Sequence, residues 1–247
     1  DGVGPMPWVE LADRVGALVA HLRAEGTPAG ASIPVVSPNR REVIEVDLAC
    51  LVGGWTCVPV NWHFDAAGLE RLLDEVRAAA LVIDPVLLGL VEAALVRRAA
   101  RGVVPLPVLV LDGGENGGGH GADEAVTARQ VDYEQALARA GAPGPTPGAP
   151  GGMVFSTSGT TGRSRSVRFV GPPGELDAPV GAVLRQHLPS LIAAGVPSEG
   201  RTLLCGPHYH WAQWTFGVLP VVLGSTVVMQ PRFVPAYVLS SIDEHAV

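Results

Sequence analysis

The chain contains no lysine: its 17 basic residues are all arginine. A Schiff base, a lysine general base and a lysine phosphate contact are therefore excluded from this polypeptide. Cysteine is scarce. Cys50, Cys57 and Cys205 lie in apolar surroundings at spacings that match no zinc pattern. Buried structural thiols in a reducing compartment are expected instead. Aromatics make up only 5% of the residues, which argues against an aromatic-rich β-sandwich. No apolar run reaches the length of a membrane span, and no signal peptide is visible. There is no basic excess either. A net charge of -7 gives no electrostatic reason to expect nucleic acid or an anionic membrane as partner. No Gly-x-Ser-x-Gly elbow appears, so a serine hydrolase has little support.

What is present is a long apolar chain of 247 residues, 47% hydrophobic and rich in Ala, Val, Leu and Gly. That suffices for a buried core in one large or two small domains. Leu11, Val15, Leu18, Val19 and Leu22 recur at helical spacing, with Gly26 as the stop. Ile33 to Val36 reads as a short buried strand, Pro38-Asn39 as punctuation, and Val43 to Leu51 as a helix. Thr56 to Val60 is a strand in which Pro59 marks an edge or a strand end. Asp65 caps a helix carrying Leu69, Leu72, Leu73 and Val76. Ala80 to Ile83 is a strand, followed by a helix to about Ala100 and a strand from Val108 to Leu111. Beyond the middle of the chain, a helix over Leu176 to Ala194 with a kink at Pro189 is expected. After it come a strand at Arg201 to Cys205, a helix at Trp214 to Leu223 closed by Gly224, a strand at Thr226 to Met229 and a last helix from Pro235. This alternation predicts an α/β fold with a mostly parallel sheet flanked by helices. Gly113 to Gly121 and the Pro/Gly connector Ala142 to Gly152 interrupt it as loops.

The densest chemistry lies in Phe155 to Arg165 (FSTSGTTGRSR), directly after an apolar run. Its glycines let the backbone approach a ligand. Successive free N–H groups in such a turn form an anion-binding concavity. Hydroxyls add donors, and arginines add fixed positive charge suited to phosphate oxygens. The spacing is not that of a Walker A motif. Ser166 to Val170 alternates polar with apolar and reads as a strand. A loop between two strands has no helix dipole to use, so amides, hydroxyls and arginines must do the binding.

This loop resembles the phosphate loop of the adenylate-forming (AMP-binding) superfamily, most like bacterial fatty-acyl and other acyl-CoA ligases. The family's Lys-Gly ending is replaced by Arg165-Ser166, and guanidinium is not equivalent to ammonium. Further blocks resemble the family in its order: Trp8 to Leu11, Pro38-Asn39 with Gly53 to Asn61, Asn61-Trp62-His63, and Pro207-His208-Tyr209-His210. The resemblance implies ATP phosphate binding by Thr157, Ser158, Gly159, Thr160, Thr161, Gly162, Arg163 and Arg165, with Mg²⁺ held by Thr160 or Thr161. It implies an acyl/CoA pocket that includes His210, Trp211, Gln213 and Trp214. A structural histidine beneath the tryptophans and core packing for the tryptophans themselves stand as the other readings. His208 has a weaker case, and His63 is read as a surface or subdomain-contact residue. Asp84 and Asp112 are read as turn caps without a catalytic role.

The implied reaction activates a carboxylic acid, a fatty acid being the favoured class, with ATP and transfers it to CoA. The implied domain is one partial AMP-binding domain over residues 1–247. The family's carboxy-terminal domain with its catalytic lysine is not expected in this chain, so no catalytic residue is assigned, and the chain alone is expected not to complete the reaction. It starts at Asp1 without methionine and stops at Val247 inside a helical pattern, so both ends are read as cut. A cytoplasmic location is expected. A peptide-synthetase adenylation domain and a non-catalytic interaction remnant are the alternatives. Neither the acid nor the oligomeric state is legible.

Overall fold

The structure, a computed structural model, describes residues 4–111, 130–141, 151–157, 165–169, 189–196 and 198–247. In chain order the first half holds α1 (Trp8–Ala24), β1 (Ser32–Val36), α2 (Arg41–Gly53), β2 (Thr56–Pro59), α3 (Ala66–Glu75), β3 (Leu81–Ile83), α4 (Leu88–Ala99) and β4 (Val108–Val110). The second half holds β5 (Gln130–Asp132), α5 (Tyr133–Arg139), β6 (Gly152–Thr157), β7 (Arg165–Phe169), β8 (Arg201–Leu204), α6 (Trp211–Gly217), α7 (Leu219–Val222), β9 (Thr226–Met229) and α8 (Pro235–His245).

Seven strands form one sheet in the order β5-β4-β3-β1-β2-β6-β7. All neighbours are parallel except β6 and β7. Parallel strands buried on both faces need apolar residues at nearly every position. Accordingly β1, β2 and β3 are buried throughout. One face is covered by α1, α2 and α5, with Leu18, Leu22, Val46, Tyr133 and Phe155 in its core. The other face is covered by α3 and α4, with Leu69, Leu73, Val91, Ala94 and Val154. The α/β sheet expected from the alternation is therefore present.

β8 and β9 were expected as strands. They form a separate two-stranded parallel sheet. Helices α6 and α7 join that sheet to α2 through Ile44, Val218, Val221, Val227 and Met229. Squeezed between the large sheet and this unit, α2 has no solvent face of ordinary size, and Glu42, Glu45 and Asp47 are buried along with its apolar residues.

Local features follow the sequence rules. Asp65 accepts the Gly68 N–H at 2.7 Å, and Gly26 ends α1 at φ 75°. Pro59 is the last residue of a central strand, so the edge reading is excluded and the strand-end reading holds. β2 pairs with β6 only at Thr56 and Cys57. The two strands part before Pro59, opening the sheet at its carboxyl edge.

β5 and α5 were not expected. The three residues of β5 are all half-buried and alternate too briefly to show a period. Asp132 caps α5 by accepting the Gln135 N–H at 2.8 Å. The Asp-x-x-Gln spacing was the available signal. Of the helix expected over Leu176 to Ala194, residues 189–193 are helical, and 176–188 lie outside the described residues. The loop Gly113 to Gly121, Asp112 and residues 142–150 of the connector lie outside them as well. Among the described residues, no helix is long and apolar enough to cross a membrane.

Candidate active site

The carboxyl edge of an open parallel sheet is where ligands bind. Here that edge gathers the turn after β1, the parting of β2 from β6, the end of β6 and the turn after β8. β6 and β7 are in register from Met153 opposite Phe169 to Thr157 opposite Arg165. The phosphate-loop candidate is thus the connection between two antiparallel strands, as its flanking pattern implied. Thr157 closes β6 and Arg165 opens β7. Ser158, Gly159, Thr160, Thr161, Gly162 and Arg163 lie outside the described residues.

What aims this hairpin is the last glycine pair of the connector. The Gly151 N–H donates to Leu51 O at 2.8 Å, and the Gly152 N–H to Trp55 O at 3.0 Å. A Cβ on Gly151 would sit 2.0 Å from Cys50 O and 2.3 Å from Trp55 O. Only glycine lets β6 enter against the α2–β2 corner. On the far side, the Ser166 N–H donates to Glu75 Oε1 at 3.1 Å, tying β7 to the end of α3.

The turn after β8 is fastened to the turn after β1 by one side chain. Asn39, 2% exposed, accepts the His208 N–H at 2.9 Å. Its amide donates to Gly206 O at 2.7 Å and to Gln230 O at 3.0 Å. Beside it, Arg40 binds Glu42 and Asp84, the latter at 2.8 Å, and so closes the edge between β1 and β3. Asp84 also accepts the Val86 N–H, so it is an ion-pair partner as well as a turn cap.

His210 stands exposed at the start of α6. Its ring lies 4.6 Å from that of Tyr209, and Tyr209 meets Trp62 edge-on at 4.8 Å. Trp211 and Trp214 stack at 5.5 Å, and both turn their planes against Phe155 of β6, at 5.3 and 5.9 Å. Trp211 is 43% exposed at the mouth of this cluster, whereas Trp214 packs into the apolar core between α2 and α6. Gln213 spends its carboxamide oxygen on the Gly206 N–H at 2.9 Å and shapes the turn. The structure thus brings His210 and Trp211 together at the edge, with Trp214 behind them as packing and Gln213 as a brace. His63 is exposed beside Trp62.

Three contacts at this edge are not legible in the sequence. Asn39, part of the Pro38-Asn39 block, gives no sign there of the far partners it braces, although Asn after Pro can hold a turn. His208 is fully buried, with no hydrogen-bond partner on either ring nitrogen. Burial lowers its pKa to about 3, so the imidazole is neutral. Asp47, given no role by its helical spacing, is fully buried beside Cys57, whose thiol lies 2.9 Å from Asp47 Oδ1. Cys57 therefore does not sit in purely apolar surroundings. Cys50 and Cys57 are buried free thiols, and Cys205 is half-buried.

Two cavities lie at the opposite, amino edge of the sheet. One of about 190 Å³ is lined by His21, Thr27, Ala80 and Leu109. The other, about 450 Å³ and more open, is lined by Glu25, Ala78, Arg98 and Pro105. Neither touches any residue of the carboxyl-edge constellation. No cluster of three or more His, Cys, Asp or Glu suited to a metal occurs among the described residues.

With this geometry in view, the comparisons with known proteins are direct. The family model described as AMP-binding enzyme matches residues 5–247. The chain is 25% identical over 243 residues to a feruloyl-CoA synthase of Amycolatopsis sp, covering 98% of this chain and 42% of that protein. It is 29% identical over 172 residues to the medium/long-chain-fatty-acid–[acyl-carrier-protein] ligase FadD10 of Mycobacterium tuberculosis, covering 68% of this chain and 28% of that one. Its fold matches a crystal structure of a long-chain-fatty-acid CoA ligase from Rhodopseudomonas palustris with a TM-score of 0.72 and 17% identity, over 98% of this chain and 55% of that chain. The chain spans less than half the length of these curated relatives. It belongs to the family of AMP-binding, adenylate-forming enzymes.

Proposed function

We propose that the chain is the amino-terminal portion of an ATP-dependent acid–CoA ligase. The parent reaction joins a carboxylate to the α-phosphate of ATP, releasing pyrophosphate, and CoA thiolate then displaces AMP to give the thioester. The observation that carries this reading is the β6–β7 hairpin. Its register runs to Thr157 opposite Arg165, so β6 ends and β7 begins at the sheet's carboxyl edge, which supports a phosphate-binding role for the segment that joins them. In this reading the loop amides, the hydroxyls of Thr157, Ser158, Thr160 and Thr161, and the Arg163 and Arg165 guanidiniums hold the triphosphate. They neutralise the departing pyrophosphate, an electrostatic and positioning contribution. Gly159 and Gly162 let the backbone close on it.

The donor set fits magnesium. Hydroxyl oxygens are hard ligands, and Mg²⁺ takes few protein oxygens alongside substrate phosphates. Thr160 or Thr161 would hold it, and the ion would supply charge neutralisation when bound. His210 and Trp211 shape the acid side of the site, Trp214 supports Trp211 from behind, and Gln213 braces the turn.

A carboxylic acid, fatty acids foremost, is the proposed substrate, and the reducing cytoplasm suits the free thiols. In this reading the chain alone does not complete the reaction, because the resemblance calls for a catalytic lysine and the chain has none. A carrier-protein thiol in place of CoA is a second reading, favoured by the similarity to FadD10. The test is calorimetric titration with MgATP of the wild-type chain beside an Arg163→Ala/Arg165→Ala double variant. Binding by the wild type that the folded variant loses supports the reading. Absence of binding to the folded wild type contradicts it.

A further inference from the structure

Asp47 is the one acidic side chain of α2 that no arginine answers among the described residues. Glu42 is paired with Arg40, and Glu45 with Arg14 and the Tyr133 hydroxyl. Asp47 Oδ1 meets the Cys57 thiol at 2.9 Å. Its other oxygen, Oδ2, has no hydrogen-bond partner, and neither has the Trp214 indole Nε1. Yet Trp214 of α6 packs against the apolar residues of α2, and its indole N–H favours the charged form of Asp47. A buried acceptor on α2 and a buried donor on α6 are therefore both unsatisfied where the two helices pack. Leaving both unmade is costly.

We propose that Asp47 is a positioning residue, a proton-dependent latch that draws the Trp214 indole N–H, and with it α6, onto α2 when the carboxyl group loses its proton. As a carboxylate, Oδ2 is an acceptor only and takes the indole N–H in a charge-assisted bond. As a neutral acid, the group gains a donor of its own and loses most of its pull on the indole. Burial raises the Asp47 pKa to about 7, while the Cys57 thiol and the Trp214 indole hold it down. The exchange thus falls near neutral pH.

Other groups around Asp47 leave it alone in this range. The Cys57 thiol is pushed well up by burial, by Cys50 and by Asp47, and stays protonated. Arg14 of α1 is spent on Glu45 of α2 and on Glu134 of α5. His208, ahead of α6, is neutral. β1, β6 and α7 carry no titratable side chain.

Trp214 stacks on Trp211, and both abut Phe155. A shift of Trp214 therefore reaches the exposed ring at the site mouth. This consequence for acid binding rests on the pocket reading above. The latch itself does not, and its test uses neither acid nor nucleotide.

The experiment is NMR titration of the folded chain between about pH 5.5 and 8.5. It follows the Asp47 side-chain carboxyl carbon, assigned with Asp47→Asn, and the Trp214 indole N–H, assigned with Trp214→Phe. The expected result is one shared midpoint, with the indole proton moving downfield as pH rises and no such movement in Asp47→Asn. An indole signal that does not titrate, or that titrates unchanged in Asp47→Asn, overturns the proposal. If Asp47→Asn does not fold, the wild-type signals decide alone. Midpoints more than about one pH unit apart overturn it.

Discussion

The Asn39 carboxamide oxygen accepts the His208 N–H at 2.9 Å across 169 residues of sequence, fastening the turn that carries His210 to the end of β1. Its amide holds Gly206 O and Gln230 O as well, so one buried side chain joins the carboxyl edges of both sheets. Replacing it with alanine leaves three backbone groups without this partner, two of them in buried bonds. Asn39→Ala is expected to cost about 2–4 kcal/mol in chemical denaturation. It is also expected to speed amide exchange at His208 more than at β1.

The Gly151 corner gives a sharper prediction. Gly151→Ala drives a methyl group into two backbone carbonyls that cannot step aside. A loss of about 3 kcal/mol or more in a denaturant melt is expected. Gly89→Ala is the control. It lies exposed on α4 with nothing within 4 Å of its added carbon. Helix propensity favours alanine there by up to about 1 kcal/mol.

Acid sensitivity should separate into two opposed slopes. His208 has a folded pKa near 3, below its ordinary 6.5. The unfolded chain therefore binds the extra proton, and this group's contribution to stability falls as pH drops from 6.5 toward 3. Asp47 has a folded pKa near 7, above its ordinary 3.8. Here the folded chain holds the proton, and stability falls as pH rises from 3.8 toward 7. Each slope is at most about 1.4 kcal/mol per pH unit. The two offset each other between pH 4 and 6.5 in the wild type. His208→Leu is expected to expose the Asp47 slope and Asp47→Asn the His208 slope, read from denaturant midpoints across pH. Parallel curves for the two variants contradict this account.

Arg14 holds the buried Glu45 with its Nε at 2.8 Å and Glu134 with both Nη atoms. Arg14→Met leaves Glu45, 0% exposed, with the Tyr133 hydroxyl as its partner among the described residues. A cost of about 3 kcal/mol is expected. Arg14→Met/Glu45→Gln should recover part of it, because the stranded charge is then gone. A double-mutant denaturation cycle measures the recovery.

How much was legible in the sequence differs by element. The apolar stripes of α1 and α3 and the apolar runs Ile33 to Val36 of β1 and Leu81 to Ile83 of β3 announce the layered sheet, because their periods follow from burial on one face or two. β5 is too short and too polar to carry a period, and its helix shows only the Asp132 to Gln135 cap. That β8 and β9 leave the main sheet is not written in their composition. It follows from the packing of α6 and α7 on α2.

At the candidate site, the loop chemistry and the blocks that hold Asn39, His208 and His210 were visible as motifs, since they depend on residue type at close spacing. The buried contacts of Asn39, His208 and Asp47 were not. Their roles depend on partners far along the chain: 169 residues away for the Asn39–His208 bond, and across α2, β2 and α6 for Asp47. A one-dimensional pattern has no way to mark such pairs. Trp214 as core and Gln213 as a brace were undecidable for the same reason.

The measurement that tests the central claim most directly is amide chemical-shift mapping of the folded chain with MgATP and, separately, with Mg-pyrophosphate. The account predicts that both ligands perturb Thr157 through Arg165 at the β6–β7 connection, with smaller effects at the His210 turn. Perturbation confined to the amino edge, around Thr27, Ala80 and Leu109, would contradict it.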